Sequence, residues 1–159
     1  MMQCAVQPGR LEMIPYKAEH VLGMDSLMSP GQQDYDYLAV TAKQMERGTE
    51  AWTLFYDGAA VASGGFVKNW KGNYGVWLYS NAANLRPLAL VRTIRQKIAE
   101  FGDRHFWRRL ETTVRVDVPN GCKFAEILGF KRDGFAEQFN PDGCDSFRYS
   151  IVKGGQHGH

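Results

Sequence analysis

The sequence predicts an α+β domain built on a mostly antiparallel mixed sheet. Three observations carry this. The apolar spacing switches between a period of two and a period of 3.6 along the chain. An Asp57-Gly58 pair separates two alternating runs. A strongly amphipathic helix stands directly between two further alternating segments. The resulting order is β-α-α-β-β-β-α-β-α-β-β, with helices on both faces and one strand–helix–strand crossover.

Residues 11–16 read as a short strand. Residues 18–28 follow with Val21, Met24, Leu27 and Met28 at helical spacing, and Ser29-Pro30-Gly31 breaks that pattern. A second helix over 33–47 puts Leu38, Ala42 and Met45 on one face, with Gly48 as its C-terminal cap. Residues 51–56 then alternate, with Trp52, Leu54 and Tyr56 on one side. Asp57-Gly58 is a two-residue hairpin signal. Residues 59–67 return as a strand, in which Gly64-Gly65 marks a bulge or a close backbone approach. A turn over 68–73 leads to a third strand over 74–79, with Trp77 and Tyr79 on the face opposite Val76 and Leu78. The three strands are expected to form an antiparallel meander.

A polar loop over 80–86 precedes Pro87, which suits a first helical turn because no backbone donor is needed there. Leu88, Val91, Ile94, Ile98 and Phe101 then recur every three or four residues, the strongest helical pattern in the chain. Residues 109–116 alternate, with Leu110, Thr112, Val114 and Val116 facing one way. A short helix over 120–128 ends at Gly129-Phe130, which turns the chain into a strand reaching 139. Asn140-Pro141-Asp142-Gly143 is a turn, and 144–152 the last strand.

A chain of 159 residues suits one compact domain, here 1–153, with a frayed Gly-rich tail over 154–159. No apolar run approaches the roughly 20 residues that span a bilayer. The N-terminus lacks the basic start and apolar stretch of a signal peptide. A cytoplasmic location and no membrane partner are therefore expected. A formal net charge of +2 gives no argument for nucleic acid. Cys4, Cys122 and Cys144 form no close pair with one another or with the four histidines, so neither a disulfide nor a metal site is expected. The local excess of Arg86, Arg92, Arg95 and Lys97 is either a solvated helix face or an anion site.

Several segments carry a resemblance. Arg109-Leu110-Glu111-Thr112-Thr113-Val114 is followed by Cys122-Lys123-Phe124-Ala125-Glu126-Ile127, by Leu128-Gly129-Phe130, and by Lys131-Arg132-Asp133-Gly134. Asp142-Gly143 then precedes Phe147-Arg148-Tyr149-Ser150-Ile151. This resembles the C-terminal end of GCN5-related N-acetyltransferase (GNAT) domains. In architecture the resemblance covers 11–153, and in particular residues 50–153. Tyr56-Asp57-Gly58, Ala62-Ser63-Gly64-Gly65, Trp77-Leu78-Tyr79-Ser80 and the Arg-rich helix are similar to GNAT-like proteins of tailed bacteriophages, including internal (core) virion proteins of short-tailed phages.

The resemblance implies an acetyl-CoA-dependent N-acetyltransferase whose acceptor is an amine of a small molecule or protein. Its alternative is a non-catalytic scaffold in a virion or host cytoplasm, with a phage or host protein as partner. A monomer or homodimer is expected. The implied pyrophosphate cradle is Asn84, Leu85, Arg86, Leu88 and Ala89, with Arg92 adding charge and Tyr79 and Asn120 flanking it. Here the chain departs from the family. No glycine stands in that run, and Pro87 removes one donor. Ala125 occupies the position of the family's proton-donating tyrosine, and Val118 that of a frequent asparagine. Asn120 is a displaced polar group or a helix N-cap. No acidic residue lies between Gly58 and Leu85, which makes Glu111 the next candidate base. Its other reading is a cross-strand partner of Arg109 or Arg148. Tyr79, with Tyr74 and Trp77, forms an acceptor pocket or packs the sheet. Cys122 is a thiol near the cofactor or a small buried residue.

Overall fold

A computed structural model describes residues 10–24, 35–80 and 87–154. Its elements, in chain order, are β1 (Leu11–Pro15), α1 (Ala18–Leu22), α2 (Tyr35–Met45), β2 (Glu50–Tyr56), β3 (Ala59–Trp70) and β4 (Gly72–Ser80). Then come α3 (Pro87–Arg104), β5 (Trp107–Arg115), α4 (Pro119–Ile127), β6 (Lys131–Ala136) and β7 (Ser146–Val152). The expected order of strands and helices is the one found. The strands form one seven-stranded sheet, β1-β2-β3-β4-β5-β7-β6. Only β4 and β5 run parallel; every other neighbouring pair is antiparallel.

Local chemistry explains the connections. Asp57 and Gly58 have φ of 50° and 80°, and Tyr56 pairs with Ala59, so the meander's first hairpin closes in two residues. Between β2 and β3, Leu54 pairs with Ala62 and Phe55 with Ala60, which leaves Val61 as an extra residue. That bulge brings both Val61 and Ala62 into one buried cluster with Leu54 and Leu90. Gly65 is a close approach: a β-carbon there would overlap the Glu50 carbonyl and Ala51. α4 ends where Gly129, at φ 103°, donates to the Glu126 carbonyl at 3.0 Å and Phe130 donates to the Ala125 carbonyl at 3.0 Å. This Schellman pairing is the physical content of Leu-Gly-Phe, and it delivers Phe130 into the core.

The two faces of the sheet differ. On one, α3 and α4 cover Phe66, Tyr74, Leu110 and Tyr149, with Phe101 stacked on Phe66 at 3.9 Å. Arg95 of α3 donates to the Ile127 carbonyl of α4 at 2.6 Å, tying the helices together. On the other face, α1 and α2 lie over Thr53, Ser63 and Trp77. There the Tyr16 ring meets Trp77 edge-on at 4.9 Å, and its hydroxyl donates to the Ala42 carbonyl at 2.9 Å.

Four expectations change. Residues 68–73 are not a turn: β3 runs on to Trp70, Asn69 is accommodated as an extra residue, and the reversal is confined to Lys71 and Gly72, the latter at φ 82°. α1 stops at Leu22, capped by Gly23 rather than continuing to residue 28; residues 25–34 lie outside the described part. β6 ends at Ala136, because the next residues turn, with Gln138 at φ 48° and its amide bonded to Asp145 at 2.7 Å. Asn120 is not the N-cap of α4. Val118 holds that place and Pro119 begins the helix, leaving Asn120 inside the first turn. No helix among the described residues is long and apolar enough to cross a membrane.

Candidate active site

β4 and β5 pair from Gly72 opposite Trp107 to Gly75 opposite Glu111, and there the pairing stops. Beyond it, residues 76–80 of β4 pair only with β3, and residues 112–115 of β5 only with β7. Backbone groups in a strand point alternately to its two sides. Residues 76–80 therefore turn toward β5 an edge that β5 does not pair with. This fork is about 13 Å deep at 3.3 Å per residue.

A cavity of about 1190 Å³ occupies the fork. Val21, Thr41 and Met45 line it from the α1–α2 face, and Leu90, Ile94 and Ile98 from the α3 face. The cavity thus reaches both faces of the sheet through the gap between the strands. Among the described residues the larger core cluster lies at the paired end around Phe101 and Leu110, and the smaller one, with Leu54, Ala62 and Leu90, forms part of the cavity wall.

Polar groups are distributed unevenly around it. Trp77 Nε1 and Ser80 Oγ are buried on its wall with no hydrogen-bond partner among the described residues. Leaving such a group unpaired costs about 1–3 kcal/mol, which a bound molecule with its own polar groups would offset. At the closed end, Glu111 accepts from Arg109 at 2.8 Å and from Asn69 at 3.3 Å. Arg109 also reaches Asp133, whose carboxyl is held below the usual range by the Ser150 hydroxyl at 2.7 Å and then by Arg109. At the open end, Arg115 makes paired bonds to Asp142 at 2.9 and 2.8 Å and to Asp117 at 3.0 Å. That guanidinium pulls Asp142 down to about 2 and joins the β6–β7 turn to the segment entering α4.

The expected site residues divide as follows. Glu111, Tyr79 and Asn120 all line the cavity, Glu111 at the fork and the other two further out. Glu111 also has the Arg109 partner of its second reading, but two residues away on the same strand rather than across strands. Leu88 and Arg92 are exposed, and neither they nor Ala89 line the cavity; the wall of α3 is formed by Leu90, Thr93 and Ile94. Asn84, Leu85 and Arg86 lie outside the described residues. The aromatic trio separates, Tyr74 packing in the core against Phe101 while Trp77 and Tyr79 face α1 and α2. Cys122 is a buried member of the core. Sequence reasoning missed Ser80 as a cavity group and offered Trp77 for its ring rather than its nitrogen. The signal for Ser80 was a polar residue ending a strand that pairs on one side only.

No family model and no curated protein sequence matches this chain. Solved structures do match. A GNAT-family acetyltransferase from Bacillus anthracis has a TM-score of 0.61 at 14% identity, over 92% of this chain and 96% of that one. The microcin C7 self-immunity acetyltransferase, solved with acetyl-CoA and AMP, has a TM-score of 0.67 at 13% identity, over 90% and 92%. An acetyltransferase from Salmonella typhimurium that modifies the N-terminal serine of ribosomal protein L7/L12 has a TM-score of 0.65 at 15% identity, over 90% and 95%. The class is thereby defined by fold: this chain has the GNAT fold, over nearly its whole length.

Proposed function

We propose that the chain is an acetyl-CoA-dependent N-acetyltransferase of GNAT type that passes an acetyl group to an amine. The observation that supports this best is the fork: two parallel strands part beside the start of α3 and leave an open cavity instead of a packed core. Bound acetyl-CoA supplies an acyl group activated as a thioester.

The chain's own residues bind, orient and move protons. The edge of 76–80 that β5 does not cover suits an extended, amide-bearing arm laid along it as an added strand. Trp77 Nε1 and Ser80 Oγ gain partners in the same step. The N-terminus of α3 favours an anion through its free N–H groups and dipole. Pro87 has no N–H, so Leu88 and Ala89 are the first α3 residues to offer one, with Asn84, Leu85 and Arg86 completing the cradle and Arg92 adding charge. Glu111 at the fork is placed to take a proton from the acceptor nitrogen, with Arg109 and Asn69 fixing its carboxylate. Tyr79 walls the acceptor side, and Asn120 in the first turn of α4 orients the donor.

Isothermal titration with acetyl-CoA, followed by thiol release with a panel of amines, tests the proposal. Binding and release are expected. No heat at about 1 mM ligand removes it.

A second reading, a non-catalytic GNAT scaffold with a phage or host protein as partner, is favoured by three local features. Residues 84–89 lack glycine, Ala125 replaces a tyrosine, and Glu111 is already engaged by Arg109. Recovery of the chain from purified phage particles supports that reading. Acetyl-CoA turnover counts against it.

A further inference from the structure

Under α1, on the face opposite the main core, three polar side chains from three elements form a continuous chain. His20 Nδ1 lies 2.6 Å from Thr53 Oγ1, and Thr53 Oγ1 lies 2.8 Å from Ser63 Oγ. Thr53 and Ser63 are 0% and 1% exposed, whereas His20 is partly open to solvent. Ser63 pairs with Tyr79 across β3 and β4 and forms part of the cavity wall. One end of the chain therefore touches the cavity and the other end the surface.

The direction of these hydrogen bonds follows from a fourth group. The Lys17 backbone N–H donates to His20 Nδ1 at 3.1 Å. A backbone amide can only donate, so Nδ1 is the bare nitrogen of a neutral imidazole and the ring proton sits on Nε2. Thr53 then donates its hydroxyl proton to Nδ1, and its oxygen accepts from Ser63. Every hydrogen points from the cavity toward His20.

We propose that Ser63, Thr53 and His20 are a proton relay that carries the first proton of a protonated acceptor amine from the cavity to solvent before attack, leaving the proton released on attack to Glu111. The relay rests on the acetyltransferase reading above and deepens it. In the step, the acceptor's ammonium gives one proton to Ser63 Oγ; the freed amine then bonds to the acyl carbon, the thioester C–S bond breaks, and the second nitrogen proton goes by way of Glu111 to the departing CoA thiolate. The Ser63 proton passes to Thr53 Oγ1, and the Thr53 proton to His20 Nδ1. Both hydroxyls keep one proton each, and His20 becomes an imidazolium. It returns a proton to solvent, and the hydroxyls turn back. Burial holds His20 below its ordinary range, which keeps the ring neutral and able to accept near pH 7. The charged groups facing it are Glu19 and Lys17 of its own segment and Glu46 at the end of α2; from β2 it meets Thr53 and the Phe55 ring, which stands edge-on at 5.2 Å. Ser63 is the catalytic contact; Thr53 and His20 act through it.

The test uses the whole chain. Wild type, His20→Gln, Thr53→Val and Thr53→Ser are compared for CoA release from acetyl-CoA, with two acceptor probes. One is a peptide with a free α-amine, which arrives largely protonated near pH 7, and the other is hydroxylamine, which arrives largely neutral. Acetyl-CoA binding is followed by calorimetry, and folding by melting midpoint. The relay predicts unchanged acetyl-CoA affinity and a fall in kcat of roughly 100-fold with the peptide for His20→Gln and Thr53→Val. It also predicts a smaller fall with hydroxylamine and recovery in Thr53→Ser, which keeps the hydroxyl. The acid limb of the wild-type pH profile, where His20 takes up a proton, flattens in His20→Gln. A folded His20→Gln variant with the wild-type rate and pH profile overturns the relay and leaves the enzyme reading intact. A wild-type chain that does not bind acetyl-CoA, or releases CoA to neither probe, overturns that reading and the relay with it.

Discussion

Between Gly72 and Gly75, β4 has a strand on each side; from Val76 to Ser80 it has one only. The paired stretch sits against stacked rings, Phe66 on Phe101 and Tyr74 edge-on to Phe101 at 4.9 Å. The stretch that β5 leaves uncovered sits against a cavity, where Trp77 Nε1 and Ser80 Oγ are buried with no hydrogen-bond partner among the described residues. Nine residues of a single strand thus divide into a part paired on both sides and a part that β3 alone pairs. The first contributes stability, and the second spends some of it on holding an opening.

Substitutions in the two halves should therefore behave differently. The largest effect is expected at the paired end. Phe101→Ala removes a fully buried ring from the centre of the cluster and should lower unfolding free energy by about 3–5 kcal/mol in a urea melt. A loss below about 1 kcal/mol would mean that the core lies elsewhere. At the open end β4 depends on β3 alone, and Gly65 faces Trp77 across that pair. Gly65→Ala forces a methyl into the Glu50 carbonyl and should cost about 1–3 kcal/mol by the same measurement. Ser80→Ala should do the opposite. Removing an unpartnered buried hydroxyl should leave the free protein equal in stability or up to about 1 kcal/mol more stable, while acetyl-CoA binds about 5-fold more weakly by calorimetry. Lower stability without a change in binding would make Ser80 an ordinary strand residue.

The smallest effect concerns pH. The folded carboxyl of Asp142 lies near 2, below the unfolded value of about 3.9. Its contribution is complete above the unfolded value and is lost as pH falls toward 2. Melting midpoints of Asp142→Asn should run below wild type near pH 6 and converge with it near pH 2. Parallel curves across that window would show that the Arg115 pairing adds nothing.

Much of the fold was legible because its signals are local. The Asp57-Gly58 turn needs two adjacent residues with positive φ, and Leu128-Gly129-Phe130 needs one glycine to close a Schellman pair. The amphipathic helix from Pro87 is read from its own spacing. The misses come from partners distant in sequence. Lys68 and Asn69 are polar, yet β4 recruits 68–70 as strand by pairing Lys68 with Tyr74 and Trp70 with Asn73. Asn120 has the chemistry of a cap, but Pro119 takes the first helical position. Glu111, Tyr79 and Asn120 were named because the resemblance fixed their elements, and all three line the cavity. His20, Thr53 and Ser63 were not. Separations of 33 and 10 residues leave no pattern in a linear reading, and only the meander folded beneath α1 brings them together.

The cavity reaches both sides of the sheet, and this has a kinetic consequence. If one reactant lies along β4 from the α3 side and the other arrives from beneath α1 and α2, neither obstructs the other's doorway. Both can be resident at once, so transfer needs no covalent acyl-protein stage. Initial-rate plots against one reactant, at several fixed levels of the other, should then intersect rather than run parallel.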